Sequence, residues 1–377
     1  MSARKSIRQS GAMIITTALF LIMIIGLAAV AFDVGHLLIA RNELQNAADA
    51  AALAGANCLN KTSAPSLSDC NATVSSSLNW NVAYAKATKA ISMNKADGQY
   101  LSTGVVTTGY KNLSGTPTDL QPITLSPIGI NDRPAVMVQA SKESGKNGGP
   151  VQLLITPMFG AATVPVKVSA VAVISAPGTV APATLIPIVI NKCLFDKYWD
   201  SVAGAPKIFT TSDVDPYGLS TAGQPWEFLI GSAYHYGTCY SGQWTSFNLD
   251  VNSQSAVKAL IDSGNPSALS VGNNTWIEPG TKTASYYDLD ARYPTPLSPP
   301  TANASPALNV TIIVVDTTDL TNKGSVPVIA FAGFHIDDIQ GGSGKYVQGH
   351  FVEGLTAGGS SGNGPYYGTY TPPRLAQ

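Results

Sequence analysis

The stretch AMIITTALFLIMIIGLAAVAF, residues 12–32, carries no charge until Asp33 follows it. DVGHLLIARNELQN (33–46) and AADAAALAGAN (47–57) come next, helical in composition, first amphipathic and then alanine-rich. A bilayer core takes roughly 20 apolar residues as a helix, so 12–32 has the length of a transmembrane helix. Arg4, Lys5 and Arg8 precede it. That cationic flank predicts a cytoplasmic N-terminus over 1–11 and a single-pass protein whose remainder is outside. Ala29-Val30-Ala31 has the form of a signal-peptidase site. The apolar run is long for a signal sequence and the helical pattern crosses the triplet, which favours an uncleaved signal-anchor.

Beyond the apolar run, Leu37, Leu44 and Ala51 recur every seven residues. Ala47, Ala51 and Gly55 form one ridge of small residues; Ala48, Ala52 and Ala56 form another. Such ridges let a second helix approach closely, so these six are a candidate helix-packing interface. Packing against the chain's own domain explains them equally well.

The order of these features carries a resemblance. Gly11-Ala12-Met13 leads into the apolar run, Phe32-Asp33-Val34-Gly35 closes it, and Leu44-Gln45-Asn46-Ala47-Ala48-Asp49-Ala50-Ala51-Ala52-Leu53-Ala54-Gly55-Ala56 follows. This resembles the N-terminal signature of TadG-like, TadE/TadG-related proteins of Flp pilus assembly. Related prepilins and TadE-like pseudopilins carry Glu five residues after the processing glycine. Counted from Gly11, Thr16 stands there, so prepilin processing is not expected. No D-x-S-x-S metal motif of a von Willebrand A domain is found. The resemblance implies a membrane-anchored structural component of a Flp/Tad pilus or secretion apparatus in the bacterial inner membrane, its C-terminal region periplasmic or extracytoplasmic. It further implies roles in assembly and adhesion, with membrane lipid, pilus subunits and TadE-like proteins as partners.

The 377 residues suit two or three domains. Net charge is −1 and only 12% of residues are charged, which argues against a nucleic-acid partner needing a basic stripe. The four cysteines, Cys58, Cys70, Cys193 and Cys239, show no C-x-x-C spacing. In an oxidising compartment the natural disulfide pairs are Cys58–Cys70 and Cys193–Cys239. Three connectivities are open to four cysteines, and four buried thiols are the alternative.

Residues 57–74 read as a polar loop and 75–95 as a second helix, its apolar stripe supplied by Trp80, Ala83, Tyr84, Ala87, Ala90 and Ile91. Short β-prone runs follow at 105–108, 135–139, 151–155 and 164–173. Residues 33–174 are thus expected to form an α+β stalk, helices on a small antiparallel sheet. Residues 175–182, rich in proline and small residues, read as a linker. Residues 183–354 read as a β-rich extracytoplasmic domain, with its clearest strands at 185–190, 226–230, 309–315, 326–336 and 346–352. The Gly/Ser/Pro/Tyr-rich tail, 355–377, is expected to be mobile.

Signals for chemistry are weak. His36, His235, His335 and His350, with Asp316, Asp319, Asp337 and Asp338, are scattered without a G-x-S-x-G elbow or an H-E-x-x-H helix. The run from Asp213 to Gly218 opens like a calcium loop, but Tyr217 replaces an oxygen ligand and Gln224 stands where a bidentate Glu belongs. Tyr286, Tyr287, Tyr366, Tyr367, Tyr370, Trp226, Trp244 and Trp276 suggest either an aromatic glycan-binding face or core packing. No catalytic residue, cofactor, metal ligand or small-molecule substrate is assigned, and an enzyme is not expected. An independent adhesin or glycan-binding protein is the alternative function, and an anchored hydrolase a third.

Overall fold

The computed structural model of the protein describes residues 10–59, 70, 78–129, 131–155, 157, 160, 162–201, 204–294, 308–317, 319–362 and 366–376. The fold is α+β. Two compact units divide the chain: Met1–Ala52 with Ala87–Val106 and Met137–Val171, and Leu53–Lys86 with Thr107–Val136 and Ala172–Gln377. This differs from the expected stalk at 33–174, because the long strands of that region contribute residues to both units.

Helix α1 runs unbroken over Ser10–Asn57, and α2 over Trp80–Ser92. Neither contains proline, and alanine and leucine dominate the second half of α1. In α2 the buried positions are Ala83, Ala87 and Ile91, four residues apart on one face. Strands β1 (Lys95–Ala96) and β2 (Gln99–Tyr100) form a hairpin. Its two-residue turn, Asp97-Gly98, has positive φ at both positions (53° and 72°), the geometry for which Asp-Gly is favoured. Strands β3 (Val105–Asn112), β4 (Asp132–Lys142) and β7 (Val166–Val173) are sheet neighbours in the order β7-β4-β3. Between β4 and β7, β5 (Val151–Gln152) and β6 (Thr163–Val164) make a second hairpin.

The run expected as a strand over 151–155 stops at Gln152. The next backbone N–H, of Leu153, still reaches Ala162 O at 3.0 Å. Those of Leu154 and Ile155 are taken by a carboxylate of α1, described below, and so are lost to a β ladder.

After β7 come β8 (Pro177–Val180), β9 (Leu185–Asn191), α3 (Lys192–Tyr198), β10 (Trp199–Asp200), β11 (Ala205–Pro206), β12 (Phe228–Ser232) and β13 (Ser241–Phe247). Helix α4 (Gln254–Ser263), β14 (Leu269–Ser270), β15 (Asn274–Glu278), α5 (Thr283–Arg292), β16 (Asn309–Val315), β17 (Gly324–Gln340) and β18 (Tyr346–Phe351) follow. Seven of these strands form one sheet, in the order β12-β18-β17-β15-β13-β9-β16. Additional pairings, β12 with β13 and β17 with β16, close it on itself, so its strands are paired on both sides.

Strand β9 is buried throughout. Ile186, Ile188 and Ile190 enter one core with Val310, Ile312 and Val314. Leu185 and Val189 enter a second with Ile313 and Val315. Burial on both faces is why the sequence shows unbroken apolar runs there instead of alternation. Pro187 is tolerated because the β9–β16 register shifts opposite it, between Thr311 and Ile313.

Among the described residues, three α-helices interrupt the region read as β-rich. Ser253 caps α4 by accepting the Ala256 N–H at 3.1 Å, and Gly264, at φ 76°, ends it. The expected linker is partly strand: β8 pairs with β14 and with β20 (Gly359–Ser361), and Val180 is buried.

The tail is also built in. Strand β19 (Leu355–Thr356) pairs in parallel with β21 (Thr369–Tyr370), and β22 (Arg374–Leu375) pairs with β7 at Val173 and Ala172. Tyr367 and Tyr370 are buried, and Thr369 Oγ1 donates to Phe331 O at 2.8 Å. Its glycines and serines suggested mobility, but its tyrosines and threonines supply the burial and bonds that fix it.

Candidate functional site

Residues 13–32 of α1 span about 30 Å at 1.5 Å per residue, the thickness of a bilayer core. Their large side chains are exposed: Met13 71%, Leu27 67%, Phe32 62%. A helix apolar on all sides and, apart from Ala29, left uncovered by its own protein is stable where its solvent is itself apolar. The hydroxyls of Thr16 and Thr17 both donate back to Met13 O, the former at 3.0 Å, which satisfies them within the helix. Thr16 therefore adds no unpaired polar group to the shaft.

The shaft ends at Asp33, which is 3% exposed. Its Oδ1 accepts the Leu154 N–H at 2.8 Å and the Ile155 N–H at 3.2 Å; Oδ2 also lies 3.2 Å from the latter nitrogen. The β5–β6 hairpin is thereby latched to α1 at the end of the apolar run. One turn on, His36 Nε2 lies 3.0 Å from Asp97 Oδ1, in the β1–β2 turn. Glu43 Oε2 accepts the Asp97 N–H at 2.7 Å. Asp97 Oδ2 also faces Lys142 Nζ at 3.4 Å, and this nearly fully buried ammonium donates to Asn147 O at 3.1 Å.

Asn147 uses its whole amide. Its Oδ1 accepts from Ser102 N and Thr103 N at 2.8 and 2.9 Å, and its Nδ2 donates to Thr103 O and Ser141 O at 2.8 and 2.7 Å. Farther along α1, Gln45 Nε2 donates to Ser169 O of β7 at 3.1 Å. Two hairpins and a strand are thus fixed to the helix just past its apolar half. The sequence marks Asp33 only as the end of the apolar run and part of the Phe32-Asp33-Val34-Gly35 step, and it does not single out Asp97, Lys142 or Asn147. The Asp-Gly turn and the Asn147-Gly148-Gly149 run were the available signals.

All six small-ridge residues, Ala47, Ala48, Ala51, Ala52, Gly55 and Ala56, are buried by the chain itself. Cys58–Cys70 and Cys193–Cys239 are disulfide-bonded, with Cα atoms 5.5 and 5.2 Å apart.

Among the other residues considered for chemistry, His335, His350 and Asp337 come together. The two histidines are cross-strand partners on β17 and β18, their rings 5.0 Å apart. His350 Nδ1 lies 2.8 Å from Asp337 Oδ2, and His335 Nδ1 2.7 Å from Asn309 Oδ1. Burial lowers the His335 pKa, Asp337 opposes this, and His350 adds to it. Asp316 and Asp319 are exposed after β16, where Asp319 accepts from Thr321 and Asn322.

The calcium-like run is a turn: Asp215 accepts the N–H groups of Tyr217, Leu219 and Ser220, and Asp213 that of Thr210. Among the described residues, no group of three His, Cys, Asp or Glu side chains is placed to hold a metal. Half of the candidate aromatic face is interior: Tyr286, Tyr367, Tyr370 and Trp244 are buried, Trp226, Trp276 and Tyr366 are half-buried, and Tyr287 is exposed. A shallow cavity of about 350 Å³ beside β4 and β7 is lined by Glu143, Lys146 and Lys167. Their charges pair at 2.6 and 2.9 Å, and the two lysines hold the Glu143 pKa at about 2.

Residues 11–57 match the Tad family model, described as Flp pilus-assembly TadE/G-like. Residues 54–172 match Tad_C, described as Tad-like Flp pilus-assembly. No curated protein and no solved structure matches the chain significantly. The two family matches overlap end to end and support a TadG-like Tad pilus-assembly protein.

Proposed function

We propose that this chain, similar to Tad pilus-assembly proteins over residues 11–172, is a non-catalytic, membrane-anchored component of a Flp/Tad-type pilus or secretion apparatus. The observation that carries the proposal is the uncovered apolar shaft of α1, which ends at an aspartate latched to the family-matched region. In this reading residues 13–32 cross the inner membrane with the N-terminus in the cytoplasm, as the flanking Arg4, Lys5 and Arg8 favour. The seven-stranded sheet and its helices stand outside and engage pilus subunits or TadE-like assembly proteins, and surface adhesion is a second role of that region. Half of the rings that the glycan-binding alternative relies on are buried in the core, which counts against it.

The test is crosslinking in native membranes followed by detergent extraction of the full chain. Pilin or TadE-like subunits should be recovered with it. A folded, membrane-extracted chain that crosslinks to none of them, together with normal piliation in cells from which it has been deleted, overturns the proposal.

A further inference from the structure

The latch at Asp33 fixes more than the helix. Phe32 is the last residue of the apolar run, and side chains on a helix lean toward its N-terminus. The Asp33 carboxylate therefore leans back toward the span, and the Leu154 and Ile155 backbone is bonded to it at 2.8 and 3.2 Å. The β5–β6 hairpin is thus held at the level where the apolar run ends.

This hairpin is suited to that level. No charged residue occurs between Val151 and Val164. Leu154 is 60% exposed, Leu153 and Ile155 are half-buried, and Pro157 is exposed. On α1 itself, Val34 and Leu38, one turn apart, remain about half exposed, as does Ile39. Apolar surface thus continues for about 10 Å past Phe32 at 1.5 Å per residue, through the depth of a headgroup layer. Apolar side chains presented at that boundary partition into it.

We propose that the β5–β6 hairpin is a membrane-seating foot: Leu154, with Ile155 and Pro157 beside it, rests in the headgroup–acyl boundary of the bilayer that α1 spans. The occupant is lipid, and the inference rests on the membrane-spanning reading of residues 13–32. A spanning helix alone leaves an extracytoplasmic region free to tilt. A second apolar contact beside the helix fixes its orientation on the membrane surface.

The test uses the full chain reconstituted in phosphatidylcholine/phosphatidylglycerol vesicles, without reducing agent. All four native cysteines are in disulfides, so an environment-sensitive fluorophore can be attached at Leu154→Cys or, separately, at Met23→Cys. The Leu154 label should be blue-shifted relative to the detergent-free unfolded chain. It should lose more intensity to lipid carrying a nitroxide near the headgroup than to lipid carrying it near the chain end, and little to aqueous iodide. The Met23 label should show the opposite depth order. Asp33→Ala should reduce lipid quenching at Leu154 and leave Met23 unchanged. If Met23 is quenched by deep nitroxide while Leu154 responds only to iodide, the anchor stands and the foot is refuted. If Met23 is not quenched by lipid at all, the spanning reading fails and the foot fails with it.

Discussion

Replacing Asp33 by alanine removes the acceptor for two backbone N–H groups, those of Leu154 and Ile155, at distances of 2.8 to 3.2 Å. Hydrogen bonds to a charged group contribute about 1.5–3 kcal/mol each, so the two together are worth roughly 3–6 kcal/mol. The substitution leaves the shaft intact and adds no bulk. Its effect should therefore be local opening of the β5–β6 hairpin, not global unfolding. Hydrogen exchange of the full chain in nanodiscs reads this directly. A loss of about 3 kcal/mol speeds exchange of the Leu154 and Ile155 amides by about two orders of magnitude. Asp33→Asn keeps a neutral acceptor, worth about 1 kcal/mol per bond, and should give roughly half the effect on the logarithmic scale. Equal exchange of both amides in wild type and Asp33→Ala would refute the latch. So would Asp33→Asn proving as damaging as Asp33→Ala, since the carboxylate would then matter for something other than these bonds.

Ala51→Leu forces bulk into a fully buried position and should destabilise the chain by about 1–3 kcal/mol, whereas Ala50→Leu, one residue away and exposed, should stay within about 0.5 kcal/mol; thermal melts in detergent compare them. Cys193 and Cys239 close a sequence separation of 46 and Cys58 and Cys70 one of 12, so losing the first pair to serine should cost about 1 kcal/mol more, read from denaturant midpoints. Glu278 is fully buried, and burial raises its pKa above the ordinary 4.5, with Asp250 raising it further and Ser246, Lys282 and Lys323 opposing. The folded chain then holds a proton that the unfolded chain releases, so this residue's contribution to stability falls as pH rises above about 4.5. Glu278→Gln should remove that slope, and parallel urea titrations at acidic and neutral pH would show it; an unchanged slope would mean that Glu278 is ionised in the fold.

Local order was legible wherever chemistry is local. The uncharged run 12–32 and the small residues of 47–56 declared one long helix, because helix formation and lipid solubility depend on neighbouring residues alone. Five of the seven strands of the closed sheet, all but β13 and β15, followed from their apolar, β-branched runs, and the order of the N-terminal features pointed to the family that the comparisons support. What remained hidden depends on pairings across long stretches of chain. The tail looked mobile because its composition is polar and glycine-rich, but Thr369 bonds Phe331 and Thr371 N bonds Ser175 O. Nothing near residue 33 announces that its carboxylate will collect amides from residues 154 and 155.

The sequence by itself determined that a long apolar helix leads the chain, that cysteines are available in two local pairs, and that β structure dominates the remainder. Only the tertiary structure decided where the small-residue ridge goes, which strands close the seven-stranded sheet, and what the aspartate after the apolar run does. The physical reason is reach. Periodicity records which side of an element seeks cover, whereas the cover is supplied by residues more than a hundred positions away, whose backbone donors look the same as any others in the chain.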